Sequence, residues 1–453
     1  MDLKDKTVLV AGSGISGIGA VRLLNQIGAH IILYDGNPAL TEENIKERID
    51  EPQAVEIVIG ELPDSVINRL DLAVLSPGVP TDTDFVKRIV NQKIPVWGEV
   101  ELAYNYCKGR IIAITGTNGK TTTTALVGEI MKNYFDSVYV VGNIGTSVTS
   151  VALETTEDSV IVAEMSSFQL ETIHRFHPSV CAVLNITPDH LNRHHTMEAY
   201  IEAKRRVMAN QTHDDFAVLN YDDQVTRKMG ETASGKVIYF SSTQVLDEGY
   251  YFHNRQIIRA RNGRHELICN ASGLKILGLH NMENVMAAVA MAECIGVPMD
   301  KIRETITSFM GVEHRIEFVT DKKGVTYYND SKGTNTDAAI KAIQAMVRPT
   351  VLIGGGYDKE ADYTEWVLQF KGRVKHLVLL GETAANIEAC ARANGFQEIT
   401  IVESLKDAVD LCAKKAQKGD AVLLSPACAS WGMFENYEER GRMFKEYVNQ
   451  LED

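Results

Sequence analysis

Lys120 and Thr121 close a glycine-rich run, Thr115-Gly116-Thr117-Asn118-Gly119-Lys120-Thr121-Thr122, that follows the apolar stretch 111–114. Backbone N–H groups of such a turn, at the start of a helix, point at an anion, and the helix dipole favours negative charge there. The Lys120 ammonium suits the terminal phosphates of ATP, and the Thr121 hydroxyl suits Mg2+. The usual loop of this kind has Gly five places before its Gly-Lys pair; Ile114 stands there in this chain, so the loop is shorter than standard. The bland alternative is a plain turn between strand and helix. Glu164 ends the apolar run 160–163, where a carboxylate can hold Mg2+ directly or through water, or can be an ordinary strand-end acid. Asp189 and His190 fall on a loop after another strand, although a lone His is often structural.

Lys204 lies on a predicted helix from Met197 to Met208, in the middle of the apolar face formed by Met197, Tyr200, Ile201, Val207 and Met208. Its stem can cover the core while the ammonium reaches water. Alternatively it is a neutral amine that takes up CO2, giving an anionic carbamate able to bind metal. That requires burial to lower a lysine pKa of about 10.4.

Other polar clusters lie toward the two ends of the chain. Gly12-Ser13-Gly14-Ile15-Ser16-Gly17, after an apolar strand and before a helix from about Ile18 to Ile27, has the dinucleotide fingerprint, with Asp35 about twenty places on. Alone it points to NAD or FAD, but the same turn holds any diphosphate. Asn281 and Asn284 sit one turn apart at the start of a long helix, as caps or as ligand contacts. The late loops Asn329–Asn335, Gly354–Lys359 and Ser425–Trp431 offer Lys332, Thr334, Lys359 and Ser430 to an anionic partner. Cys428 reads as a buried thiol, and His194 and His195 as solvent-facing loop residues.

The elements that must carry these groups alternate strand and helix along the chain. The fold class is therefore α/β with mostly parallel sheets and ligands at the strands' C-terminal ends. Three domains are expected: a Rossmann-like 1–107, a phosphate-loop nucleotide domain 108–312, and a Rossmann-like 313–453. The 453 residues, 45% of them hydrophobic, suffice for three cores. A net charge of −14 argues against a general nucleic-acid binder. The seven scattered cysteines suit a reducing cytoplasm. No signal peptide or membrane-length apolar run is visible, so a cytoplasmic chain is expected, off the membrane and monomeric.

One domain for a diphosphate, one for ATP with Mg2+ and one for an anionic partner together suit a ligase. A nicotinamide dehydrogenase would not need the middle loop, and a nucleotide-gated binding module would not need the first fingerprint. At Thr115–Thr121, Gly142-Asn143-Ile144-Gly145, His280-Asn281, His314-Arg315 and Asn329-Asp330-Ser331-Lys332, the chain resembles the Mur ligases of peptidoglycan synthesis, across all three domains. The segments Glu164–Leu170 and Leu424–Ser430 are similar to the branch that adds D-glutamate to UDP-N-acetylmuramoyl-L-alanine.

The resemblance implies ATP-dependent amide formation through an acyl phosphate. ATP would be bound by Gly116 to Thr122, Asn281, Asn284, Arg315 and Asp330, with Lys120, His190 and Lys204 catalytic. Thr121, Glu164, His190 and a carbamylated Lys204 would hold Mg2+. Gly14, Ile15, Ser16, Asp35, Gly36, Asn143 and His190 would meet the UDP-sugar. Lys332, Thr334, Lys359, Ser430 and Tyr437 would place D-glutamate in a C-terminal domain that closes on ATP. Sister ligases and folate polyglutamate ligases are the nearest alternatives.

Overall fold

The computed structural model describes residues 1–143, 145–358 and 361–452. Among these, twenty strands form three sheets. The first holds β1 (Thr7–Ala11), β2 (His30–Asp35), β3 (Val55–Ile59), β4 (Leu72–Leu75) and β5 (Val96–Gly98), all parallel, in the order β3-β2-β1-β4-β5. Both faces are covered: Val8 and Val10 enter one apolar cluster, Leu9 and Ala11 the other. This is why the strands read as continuous apolar runs. The helix after β1 is Ile15–Gln26, starting earlier than the sequence suggests. The chain enters it directly from the glycine-rich turn, whose close folding leaves no room for a side chain at Gly17, where a Cβ would lie 1.8 Å from the Gly12 carbonyl oxygen.

The second sheet contains β6 (Arg110–Thr115), β7 (Val138–Gly142), β8 (Val160–Glu164), β9 (Val180–Val183), β10 (Phe216–Asn220), β11 (Lys236–Ser241), β12 (Gly249–His253), β13 (Gln256–Arg261) and β14 (Arg264–Asn270). Their order is β14-β13-β12-β11-β10-β9-β6-β8-β7, antiparallel only within β12–β14. The strand order reverses at β6, which lies between β8 and β9, with Ile114 beside Glu164 and Thr115 beside Val183. A loop leaving β6 therefore has the ends of both neighbours at its sides, the usual ligand position in such sheets.

The third sheet has β15 (Glu317–Lys322), β16 (Val325–Asn329), β17 (Thr350–Gly354), β18 (Val374–Leu379), β19 (Ile399–Ile401) and β20 (Ala421–Leu424), ordered β15-β16-β20-β17-β18-β19. Only the β15–β16 hairpin is antiparallel. The chain forms two compact units: Met1–Asn270 with Glu283–Ile306, carrying the first two sheets, and Ala271–Met282 with Thr307–Asp453, carrying the third. Among the described residues no helix is long and apolar enough to cross a membrane.

Candidate active site

In the first unit the glycine-rich loop leaves β6 and enters the helix Lys120–Lys132. Gly119 caps that helix at φ +87, and a Cβ there would lie 2.4 Å from Asn284 Oδ1. Asn284 Oδ1 in turn accepts the Thr123 hydroxyl at 3.2 Å. The loop is braced from the β9 side. Thr117 N–H donates to the Asn185 carbonyl at 2.9 Å, and Asn118 N–H to Asn185 Oδ1 at 2.8 Å. The Thr117 and Tyr200 hydroxyls are 3.0 Å apart.

Two lysines converge on this loop. Lys120 Nζ donates to the Gly116 and Thr117 carbonyls, both at 2.9 Å. Lys204 Nζ donates to the same Gly116 carbonyl at 2.9 Å and lies 4.9 Å from the Tyr200 ring centroid. Lys204 is 2% exposed, so its ammonium does not reach water and the snorkelling alternative fails. Burial, and then the Lys120 charge, push its pKa down to about 7, with Asp189 and Glu164 opposing. The neutral amine is then accessible near pH 7.

Glu164 ends β8 buried, accepting the Asn143 amide at 3.0 Å. His190 is exposed, with backbone φ +50, a conformation that costs a non-glycine residue energy and clusters at functional sites. Its ring lies 4.9 Å from Phe168 and 3.5 Å from Asp189 Oδ2. His194 corrects the sequence reading. It is buried, stacks on Phe168, bonds Ser167 Oγ at 2.9 Å and lies 3.1 Å from Glu171. Burial lowers its pKa. His195 is exposed, as expected.

At the end of β1, Gly14, Ile15 and Gly36 are exposed, Ile15 to 79%. The Asp35 carboxylate is held by the Ser13 N–H and hydroxyl, at 2.9 and 2.6 Å, and by Asn37 N–H at 3.0 Å. Burial alone would raise its pKa; these bonds outweigh burial and hold it below the ordinary value. Asp35 therefore shapes the turn itself.

In the second unit the ends of β16 and β20, where Asn329 is in register with Leu424, carry polar loops. Asp330 is buried, accepting Ile316 N–H at 3.2 Å and the Ser425 hydroxyl at 2.8 Å. Burial pushes its pKa up to about 7 against the Ser425 bond and the Arg315 charge. Lys332 Nζ lies 5.4 Å from the Tyr437 ring centroid. Thr334 N–H donates to the Lys332 carbonyl at 2.8 Å. Ser430 is buried in the β20 loop. Arg440, 2% exposed, clamps the two loops: it donates to Ser331 Oγ at 2.9 Å, the Ser331 carbonyl at 2.8 Å and the Cys428 carbonyl at 3.2 Å. Cys428 is a buried thiol, 3.3 Å from the Tyr363 and Thr383 hydroxyls. Asn281 donates to the Leu277 carbonyl at 2.6 Å.

The model of the Mur ligase middle domain matches residues 114–292, that of the Mur ligase glutamate ligase domain 314–428, and that of the Mur ligase MurD-like N-terminal domain 6–98. Over 453 residues the chain is 54% identical to UDP-N-acetylmuramoylalanine--D-glutamate ligase of Lachnoclostridium phytofermentans, with 100% of each chain covered. Over 452 residues it is 55% identical to the protein of that name from Lachnospira eligens, again with 100% of both covered. The chain belongs to the Mur ligase family. Its fold is shared with a MurF ligase of Thermotoga maritima solved in complex with ADP, at 16% identity and a TM-score of 0.57, covering 99% of this chain and 96% of that one.

In this Mur ligase the structure gathers Gly116 to Thr122, Asn143, Glu164, Lys204 and Asn284 around the end of β6, with His190 on the loop beyond β9. It groups Asp330, Lys332, Thr334, Ser430 and Tyr437 at one end of the third sheet. Lys359 lies outside the described residues, as does Ile144 of the Gly142–Gly145 turn. Sequence reasoning missed Asn185, Tyr200 as a loop contact, and Arg440. The Tyr200 signal was available: it stands one turn before Lys204 on the same face.

Proposed function

We infer that this Mur ligase joins D-glutamate to UDP-N-acetylmuramoyl-L-alanine at the expense of ATP, in cytoplasmic peptidoglycan precursor synthesis. The full-length kinship with D-glutamate ligases, above half identical, carries the inference. A carboxylate oxygen of the alanyl residue attacks the γ-phosphorus of ATP, and ADP leaves. The D-glutamate amine then attacks the acyl phosphate carbonyl; the amide forms, phosphate leaves and the amine loses a proton. Little covalent work falls to the protein, whose part is positioning and charge neutralisation.

Lys120 and the loop N–H groups neutralise the phosphates, with Asn281, Asn284, Arg315 and Asp330 placing the nucleotide. The convergence of two lysines on the Gly116 carbonyl favours an anion there. Among the described residues no three His, Cys, Asp or Glu side chains could hold a metal alone. The donor chemistry nevertheless fits Mg2+ once phosphate oxygens join the Thr121 hydroxyl, Glu164, His190 and a Lys204 carbamate, for which the buried amine with its lowered pKa is suited. Mg2+ supplies charge neutralisation at the transferring phosphoryl group. Gly14, Ile15, Ser16, Asp35, Gly36, Asn143 and His190 hold the UDP-sugar; Lys332, Thr334, Lys359, Ser430 and Tyr437 hold D-glutamate. Phosphate release tests the assignment. It should need ATP, UDP-N-acetylmuramoyl-L-alanine and D-glutamate together; equal release with other acceptors, or with none, rejects it.

A further inference from the structure

Glu99 begins the helix Glu99–Tyr104, just after the first sheet, and is 1% exposed. Its Oε1 accepts the Gln169 amide N–H at 3.0 Å. Its Oε2 is buried with no hydrogen-bond partner. A buried carboxylate with an orphan oxygen and no cation is costly, so the neutral acid is favoured. The charged and titratable groups nearby do not change this. Glu101, on the same helix, accepts the backbone N–H groups of His174, Arg175 and Phe176. Tyr104 packs on Phe176. Arg22, on the helix Ile15–Gln26, is turned to Asp50. Glu171, past the helix Ser167–Leu170, is paired with Arg193 and His194. Cys107 is a thiol whose pKa burial, chiefly, pushes up to about 12. The turn Val148–Ser150 and the strands β4 and β5 carry no titratable group. Burial accordingly pushes Glu99 up to about 7, against the Gln169 amide and the Thr149 N–H, which the carboxylate feels without forming a hydrogen bond of normal geometry to Oε2.

Gln169 is the partner through which Glu99 can act. Its own Oε1 accepts the Ser166 N–H at 2.9 Å and the Ser166 hydroxyl at 3.0 Å, while Ser166 Oγ accepts Gln169 N–H at 3.2 Å. This reciprocal cap, at Ser166 two residues beyond Glu164, fixes the start of the helix Ser167–Leu170. With Gln169 Oε1 committed to Ser166, Nε2 must donate, and Glu99 receives it. The capped helix carries Phe168, which packs against the rings of His190 and His194, with Arg193 over its face.

We propose that Glu99 is a positioning residue of this ligase: as a neutral carboxyl it orients Gln169, and through Gln169 the Ser166 cap and the Phe168–His190 platform. The inference rests on the ligase reading above. Ionisation of Glu99 strengthens the bond it accepts from Gln169 but leaves an unpaired buried charge at Oε2; the larger cost of keeping that charge dry draws the carboxylate toward water and loosens the cap, so the wild type loses positioning as pH rises through neutrality, whereas Glu99→Gln does not.

The test measures phosphate release with ATP, UDP-N-acetylmuramoyl-L-alanine and D-glutamate, for wild type, Glu99→Gln and Glu99→Ala, from pH 6 to 9. At pH 6 Glu99→Gln should match the wild type within about twofold, while Glu99→Ala loses about tenfold in kcat/KM for the UDP-sugar. The wild-type to Glu99→Gln ratio of that parameter should fall at least about fivefold by pH 9, as the neutral fraction falls. The ratio of KM values for D-glutamate should stay flat. Three results overturn the proposal: superimposed pH profiles, a Glu99→Gln enzyme impaired at pH 6, or a Glu99→Ala enzyme equal to wild type. If Glu99→Ala does not fold, the Glu99→Gln profile decides. If the wild type releases no phosphate with all substrates present, the ligase reading has failed. Calorimetric binding of the UDP-sugar across the same pH range, wild type against Glu99→Gln, then decides the role of Glu99.

Discussion

Replacing Lys204 by methionine should make the protein more stable at neutral pH while abolishing its activity. Burial and the Lys120 charge lower the Lys204 pKa from 10.5 to about 7. At pH 7, where release of the proton relieves part of the penalty, that fall corresponds to a cost of about 4 kcal/mol. Methionine fills a similar volume without the charge, but gives up the bonds to the Gly116 carbonyl and Thr115 Oγ1. At about 1 kcal/mol each, these leave a net gain of about 2 kcal/mol at pH 7. The sign of the pH dependence follows from linkage. Between pH 7 and 10.5 the unfolded chain binds more protons at this site, so the wild type regains stability by up to about 1.4 kcal/mol per pH unit. The advantage of Lys204→Met should therefore shrink above pH 7 and vanish at about pH 9. Urea unfolding of both proteins in CO2-free buffer across this range measures the difference, and other titrations cancel in it. A variant less stable than wild type by a constant amount at every pH would refute the reasoning. So would full activity in Lys204→Met, since no carbamate could form.

Three further outcomes are expected. Gly119→Ala forces a left-handed residue at about 1–2 kcal/mol and drives a Cβ into Asn284, so ATP affinity measured by calorimetry should fall about tenfold; unchanged affinity would mean the loop does not carry nucleotide. Asn143→Ala removes the amide that holds Glu164, so the Mg2+ concentration giving half-maximal activity should rise about tenfold, and no change would exclude Glu164 from the metal site. Arg440→Lys cannot span Ser331 and Cys428, so KM for D-glutamate should rise about tenfold with KM for ATP within about twofold; equal movement of both would mark a general structural effect.

The chemistry at β6 was legible because strand, glycines, lysine and threonine are contiguous, and a phosphate loop needs no distant partner to be recognised. Strand ends were legible for the same reason: β3, β4, β8, β16 and β20 fall where apolar runs stop at a polar or turn residue. Lys204 was visible as an anomaly, a charge on an apolar stripe, although only the structure shows that its ammonium stays inside. His194 was misread because a short loop sequence gives no sign that Phe168, Ser167 and Glu171 fold over it. Arg440 and Asn185 were missed for a related reason: each acts on residues far away in sequence, and a single polar residue in a helix or loop carries no period to betray it. Glu99 was hidden because no motif marks it and its partner Gln169 is 70 residues distant.

Activation of the carboxylate by phosphoryl transfer, before the amine attacks, can be followed with UDP-N-acetylmuramoyl-L-alanine carrying 18O in both carboxyl oxygens. Mass analysis of the phosphate released in the presence of ATP and D-glutamate should show one 18O per phosphate, with the other retained in the new amide. Phosphate free of the label would mean that ATP is hydrolysed by water and that the acid is never phosphorylated.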